Sequence, residues 1–345
     1  MATLTTPVAT GAFRLQFDNA EEVELVRESI AFFDELQERV DIGLSHQGYL
    51  FVAATDEGAQ IQANLVAAQR RWGLTDVELL SGAEARQRFP YLGADIVNAR
   101  FRQGDGWLEP RRLALELARA SGARFDTGVT ATGFIVEGDR VRGVTTTAAP
   151  VQADWVVIAA GPLSGPVAKL ARLDLPLATV RRHKLIIPQV PQVPAGAPMT
   201  IEFETGVHWR PAGGGAHALW TAPAPAEPPL DDVPTSSAFA FGLLDPRSDH
   251  SLARIVPFWK DVWRSPRLQW WLQAGQYTYT PDRRPLLGPT PIPGLAVNTG
   301  YSGHGIMGSI GGSRRAIEAI TGRLPPGDNP FRPDRPMIAR TFDIL

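Results

Sequence analysis

The chain has 345 residues, 44% of them apolar and 20% charged, with 34 Lys and Arg against 36 Asp and Glu for a formal net charge of −2. That length accommodates two domains and a substantial core, and the near-balanced charge argues against a nucleic-acid partner. Cysteine is absent, which excludes disulfides, thiolate metal sites and cysteine nucleophiles. No apolar run approaches the ~18 residues that span a bilayer, and the first residues lack a signal peptide's basic and apolar stretches, so a cytoplasmic location is expected.

In chain order, Asp18 with Glu21 three residues on predicts a capping box. The helix behind it carries Val23, Val26, Ile30, Phe33 and Val40 as one apolar stripe. Residues 48–54 (GYLFVAA) predict a compact strand, and residues 56–73 a helix ending at Gly73. Ser81 opens a short helix that stops before Pro90. Pro110 fits the first position of another helix, which runs to Gly122. Short strands follow from Arg124, with a tight reversal at Gly138-Asp139 and a buried strand over residues 155–160. Residues 177–244 read as β-rich and punctuated by proline, with a linker-like stretch over Ala222 to Pro234. A helix is expected over 248–264, and a strand over Gln276–Thr280. A strand over Leu295–Asn298 then leads through a glycine-rich loop into a helix reaching Thr321. The tail from Pro325 reads as irregular. α/β texture at both ends flanks a β-rich middle, so one domain is built from discontinuous pieces with a second inserted.

Gly303-His304-Gly305-Ile306-Met307-Gly308 matches GxGxxG between a strand and a helix. A dinucleotide fingerprint also needs an acid ending a second strand roughly 20 residues on. Here helix and a proline-rich tail follow, so that reading fails. Two readings remain for the loop: a glycine-rich helix start that packs closely, or a helix N-terminus whose N–H groups and dipole meet an electron-rich ligand. Ala159-Ala160-Gly161-Pro162 after VVI is a strand-to-helix turn. His208, His217, His183, His46 and His250 have no metal-ligand spacing, and no GxSxG elbow occurs.

Taken together, TPDRRPLLGPTPIPGL and GYSGHG near the C-terminus resemble the flavin-binding stretch of the D-amino-acid oxidase-like FAD oxidoreductases. Glycine and sarcosine oxidases and related amine dehydrogenases belong to that family. VVIAAG, the valine of DTGV, and TGAFR near the front match it as well. The resemblance runs from about residue 9 to 322. It implies an α/β, mixed α+β fold: an FAD-binding Rossmann-like domain (1–45, 100–175 and 281–345), incomplete at its N-terminus, with an inserted antiparallel β-rich substrate domain (46–99 and 176–280). It also implies a strand–GxGxxG–helix unit of roughly 30 residues or more ahead of residue 9, where this chain has Met1 to Val8. Loss of that central strand leaves neighbouring edges unpaired.

The implied cofactor is FAD, held without a cysteinyl link. The residues that match its binding positions are Gly11, Ala12, Val129, Ala160, Gly161, Gly303, His304, Gly305, Ile306 and Met307. The implied reaction is oxidation of the C–N bond of a small amine or amino acid (sarcosine-, glycine- or proline-like) by hydride transfer to flavin N5. His304, Tyr277 and Arg210 are the catalytic candidates. His304 either donates to the flavin or orients the loop; from the residues alone it is as readily a histidine capping a turn. Glycine-oxidase-like relatives carry a carboxylate-binding Arg in the strand before TPD. This chain has Gln276 and Tyr277 there, as in the sarcosine and proline dehydrogenase branch. Arg210, Arg181 and Arg182 are candidate replacements, each otherwise a structural or solvated arginine. The alternative is a non-catalytic remnant, or a subunit of a composite flavoenzyme whose missing unit comes from another chain or oligomer partner. No metal and no membrane span are expected.

Overall fold

The structure, a computed structural model, describes residues 3–221 and 223–339. The front half contains β1 (Ala12–Phe13), α1 (Ala20–Arg39), β2 (Tyr49–Ala53), α2 (Asp56–Arg71), β3 (Glu78–Ser81), α3 (Gly82–Arg88), β4 (Asn98–Arg102), β5 (Gly106–Trp107) and α4 (Pro110–Ala120). The middle contains β6 (Ala131–Glu137), β7 (Arg140–Thr146), β8 (Val151–Gln152), β9 (Val156–Ile158), α5 (Ser164–Lys169), β10 (Ala178–Ile187), β11 (Met199–Glu202), β12 (His208–Ala212) and β13 (Gly215–Leu219). The remainder is α6 (Ser237–Leu244), α7 (Trp259–Arg264), β14 (Trp271–Tyr279), β15 (Leu286–Pro289), β16 (Leu295–Thr299) and α8 (Ser309–Ile320).

Most of the local signals act where the sequence places them. Ser81 and Glu84 form a full capping box ahead of α3, and Gly73 and Gly122 end their helices at positive φ. Val23, Val26, Ile30 and Phe33 are buried, while Val40 is only partly covered. The expected Asp18/Glu21 box is displaced by one residue. Asn19 caps α1 instead: its Oδ1 accepts the Glu22 N–H at 2.9 Å and its Nδ2 donates to the Glu22 carboxylate at 2.5 Å. An amide supplies an acceptor and a donor at once, which aspartate cannot.

Other expectations are corrected. The segment SAFAFGLL is the helix α6, not a strand, because a short continuous apolar run has no period to distinguish the two. The helix expected over 248–264 is a 3-10 turn (Leu252–Arg254) followed by α7; Pro257 lies between them, lacks an N–H and disfavours helix before it. Residues 124–130 form no strand, and the first strand of that run begins at Ala131. β9 is not fully buried, since Val157 is 39% exposed. The stretch 223–234 has no helix or strand; Ala222 and the tail beyond residue 339 lie outside the described residues. The tail is irregular but anchored: Phe331 is fully buried, and Arg335 grips Asp282 at 2.8 and 2.9 Å.

The strands of the largest sheet lie in the order β14-β10-β13-β12-β11-β2-β4-β3. The sheet is antiparallel, as expected of the inserted part, except for the parallel pair β11–β2. β15-β16-β9 form a second sheet, joined in parallel at β16–β9. α8 packs against β15 and β16 and against α1. At Gly311 the two helices meet backbone to backbone: a Cβ there would lie 2.1 Å from the Leu25 carbonyl oxygen, and the Gly311 N–H donates to Ser29 Oγ at 3.1 Å.

Candidate functional site

Strand register builds the site. Directly paired residues share a face and alternate residues along a strand return to it. Tyr279 pairs Ala178 and Gly275 pairs Arg182, which puts Tyr277, Tyr279, Arg182 and Lys184 on one face. Lys184 pairs Leu219, and Leu219 pairs His208. His208 pairs Ile201, two residues from Met199, which pairs Tyr49. The opposite face carries Leu50, Val52, Leu185, Ile187, Trp209, Ala216 and Ala218, the main apolar core under α6 and α7. The sheet therefore has one oily side and one side of tyrosines, histidines and cations.

Opposite the polar side stands the turn after β16. Gly300 (φ +75), Ser302 (φ +50) and Gly303 (φ +94) reverse the chain, and α8 starts at Ser309 rather than at Gly305. Gly303 is obligatory, since a Cβ there would lie 2.5 Å from the Tyr277 ring in a conformation that side chains disfavour. Ser302 donates its N–H to Thr278 at 2.9 Å, which ties the turn to β14. The N–H groups of Gly305 and Ile306 take no acceptor from the described residues.

Two cavities meet at this turn. The larger has a volume of about 340 Å³ and opens toward solvent. Thr5, Thr6 and Ala9–Ala12, Pro110, Leu113 and Leu117 of α4, Ala159 and Gly161, and Thr299–Gly303 with Gly305, Ile306, Ser309 and Ser313 line it, among others. The smaller, about 70 Å³, lies between the turn and the polar sheet face and is lined by Tyr49, Arg182, Met199, His208, Trp220, Tyr279, His304 and Met307, among others. Thr10, Ala12, Tyr277, Ser302 and Gly303 line both. No Asp or Glu lines either cavity among the described residues, while Arg14 and Arg182 line the smaller.

The larger cavity fits a flavin ring system. It is of ligand size, Gly305 and Ile306 with their unanswered amides line it, and Gly161 (φ +54) leaves open space where a Cβ would be. These features make room and donors for the ring end of FAD. The adenine end has less: Val129, half-buried just after the turn at residues 127–128, lines neither cavity.

The remaining predicted residues divide. Gly11, Ala12, Gly161, Gly303, Gly305 and Ile306 line the larger cavity; His304 and Met307 line the smaller, and Ala160 lies between two lining residues. Tyr277 stands at the junction, with burial pushing its phenol up to about 12. His304 Nε2 lies 3.3 Å from Arg14, so it accepts, and Nδ1 faces Glu22 at 3.6 Å. Burial opposes ionisation of Glu22, yet His304 and Asn19 outweigh it and hold its carboxyl below the ordinary value. Arg210 lies apart from both linings. It donates to the Thr10 carbonyl at 2.8 Å and to Pro211 at 3.0 Å, stacks 5.1 Å over Trp107, and is drawn down to about 10 by burial. It fastens the front segment to β12. Arg181 pairs with Glu227 at 2.6 Å.

The sequence reading missed Arg14, Tyr49, Met199 and Tyr279 as cavity residues and weighed His208 only as a metal ligand. Alternation in YLFVA, MTIE and HWRPA marks which residues share a face within each strand; the pairing that gathers those faces is long-range and leaves no local mark.

His208 is buried, and burial above all pushes its imidazole down to about 4 from the ordinary 6.5. Its Nδ1 lies 2.8 Å from the Gly206 carbonyl and must donate, so Nε2 carries the lone pair. The unfolded chain takes up this proton below about pH 6.5 and the folded chain only near 4, so stability falls as pH drops through that window. Between pH 7 and pH 5 this one group accounts for about 2 kcal/mol. Urea titrations at the two pH values should show His208→Gln losing less stability on acidification than the wild type; equal losses would refute the assignment.

Residues 2–319 match the family model described as DAO, FAD dependent oxidoreductase. The chain is 27% identical over 363 residues to FAD-dependent oxidoreductase domain-containing protein 1 of Xenopus laevis, covering 92% of this chain and 70% of that protein. It is 26% identical over 292 residues to human mitochondrial sarcosine dehydrogenase, covering 79% of this chain but 30% of that protein. It is 30% identical over 222 residues to D-amino acid dehydrogenase of Paramagnetospirillum magneticum, covering 64% of this chain and 49% of that protein. Among solved structures, L-proline dehydrogenase from P. horikoshii superposes with a TM-score of 0.82 at 21% identity, over 95% of this chain and 85% of that one. Glycine oxidase from Geobacillus kaustophilus gives 0.79 at 23%, over 98% and 90%. These two likenesses concern the fold.

Proposed function

The chain belongs to the DAO family of FAD dependent oxidoreductases, and on that premise we propose that it oxidises the C–N bond of a small amino acid or amine. One observation carries the reading: the turn Gly300–Met307 and Tyr277 form a shared wall between a flavin-sized cavity and a cationic one. When bound, FAD supplies the two-electron acceptor for the substrate C–H hydride. Gly303, Gly305, Ile306 and the start of α8 hold its ring end, with N–H groups and helix dipole toward electron-rich atoms. Gly11, Ala12, Ala160 and Gly161 flank it. Val129 belongs to the adenine end in this proposal.

On the other side of the wall, Arg182 Nε donates to Tyr279 Oη at 3.2 Å, and the pair receives the substrate carboxylate. Tyr277, protonated at neutral pH, closes the junction as a hydrogen-bond donor. The His208 Nε2 lone pair suits an amine N–H. Met199, Leu219 and Met307 keep the chamber dry. His304 acts through Arg14 and Glu22 by fixing the turn, and Arg210 by fixing residue 10. Residues 1–45, 100–175 and 281–345 form the cofactor side and 46–99 and 176–280 the substrate side; the large sheet supports this division, with β4 straddling its boundary. A cytoplasmic location is part of the proposal, and no described helix is long and apolar enough to cross a membrane.

The test is an amine and amino-acid panel on flavin-reconstituted protein, scored by anaerobic bleaching of the flavin band. Amino acids should bleach it and carboxylate-free amines should not. Arg182→Gln should raise the amino-acid concentration for half-bleaching by roughly 30-fold or more, the cost of removing one partner of a charge pair that bound substrate would cover. Bleaching by neither class, or an unchanged requirement in Arg182→Gln, would overturn the assignment. A second reading is a non-catalytic or composite subunit completed by another chain. It is favoured by the outer edge of β9, which takes no strand among the described residues. FAD uptake by this chain alone would count against it.

A further inference from the structure

We propose that the substrate carries a second carboxylate and that Lys184 receives it, an inference that rests on the smaller cavity being the substrate side. A third, small cavity of about 20 Å³ adjoins that side. It shares Thr10, Arg182, His183, Leu219 and Tyr277 with the smaller cavity and adds Lys184 and Gln273, among others. No acidic side chain lines it among the described residues. Arg182 and Lys184 are alternate residues of β10 on one face, about 6–7 Å apart along the strand, within the span of a short amino dicarboxylic acid.

Lys184 is only 6% exposed. Its one hydrogen bond among the described residues is to the Ala9 carbonyl, long at 3.3 Å, and no carboxylate pairs with it there. An ammonium has three donors, and a buried, unpaired charge is costly. Tethering one carbonyl needs no charge at all; a neutral amide would serve. An anion entering from the substrate cavity satisfies the remaining donors and offsets that cost. The local field agrees: burial draws the Lys184 ammonium down to about 8, and Arg210 and Arg111 push the same way against Glu109.

The test compares glutarate with butyrate, which is glutarate without its second carboxyl group, by calorimetric titration of the full chain; it needs no turnover. The wild type should bind glutarate at least tenfold more tightly than butyrate. Lys184→Met should reduce glutarate to the butyrate level while leaving butyrate within twofold, and Lys184→Arg should keep the preference. Equal affinities in the wild type, no binding of either acid, or parallel weakening of both in Lys184→Met would overturn the proposal. Flavin uptake by Lys184→Met, read from absorbance, separates failure here from failure of the flavoenzyme reading: retained uptake with no glutarate preference sinks only the second carboxylate.

Discussion

Asp105→Ala lowers the free energy of unfolding by about 3–5 kcal/mol, the cost of breaking a buried ion pair from one side. Asp105 is fully buried. Its carboxylate accepts from Arg102 at 2.7 Å, from the Leu15 N–H at 2.9 Å and from Gln16 Nε2 at 2.9 Å. Burial raises its pKa, with Arg102 and the two hydrogen bonds pulling the other way. This one side chain fastens the front segment, residues 14–16, to the end of β4. Arg14 in that segment in turn contacts His304 across the site. Alanine leaves Arg102 with only its exposed partner Asp76, the Leu15 N–H unanswered, and Gln16 Nε2 with the Tyr49 carbonyl alone. Chemical denaturation should show the loss as a lower midpoint at unchanged slope. Replacing both partners, as Arg102→Met with Asp105→Leu, should recover much of it, because no charge is then stranded. A single-variant loss below 1 kcal/mol would show that the pair is not fastening the segment.

Gly303→Val abolishes flavin uptake while the chain stays folded. The Cβ lies 2.5 Å from the Tyr277 ring even in alanine, and φ +94 is disfavoured for any side chain, most of all a β-branched one. The turn must then shift or the ring must leave the wall, and either change deforms both cavities at their junction. Gly322→Ala is the control: it also has positive φ, but nothing lies within 4 Å of its Cβ position and it is remote from the cavities. FAD titration followed by flavin fluorescence should show uptake by wild type and control, and none by Gly303→Val. Equal uptake by all three would remove the turn from the site.

How far the sequence carries can be read from particular residues. The Gly300–Gly308 turn, the Ser81–Glu84 box and Pro110 at a helix start are legible because each is local chemistry: positive φ, a cap, a fixed ring. The cap of α1 missed by one residue because Asp18 and Asn19 are both good caps and only the chain's direction of entry chooses between them. α6 misled because an unbroken apolar run has no period. The substrate side was illegible for a different reason. Tyr49, Arg182, His208 and Tyr279 come together only through the strand order of the large sheet, a long-range pairing that no window of sequence encodes. Arg210 illustrates the converse. Its residue type fits a carboxylate clamp, but its position in β12 turns it onto a backbone carbonyl.

The most direct test of the central claim is backbone hydrogen exchange while FAD is titrated into the chain. The structure predicts slowed exchange at Gly303–Met307 and at Thr10–Ala12, in step with quenching of flavin fluorescence. Exchange at both segments that stays unchanged at saturating FAD would contradict it.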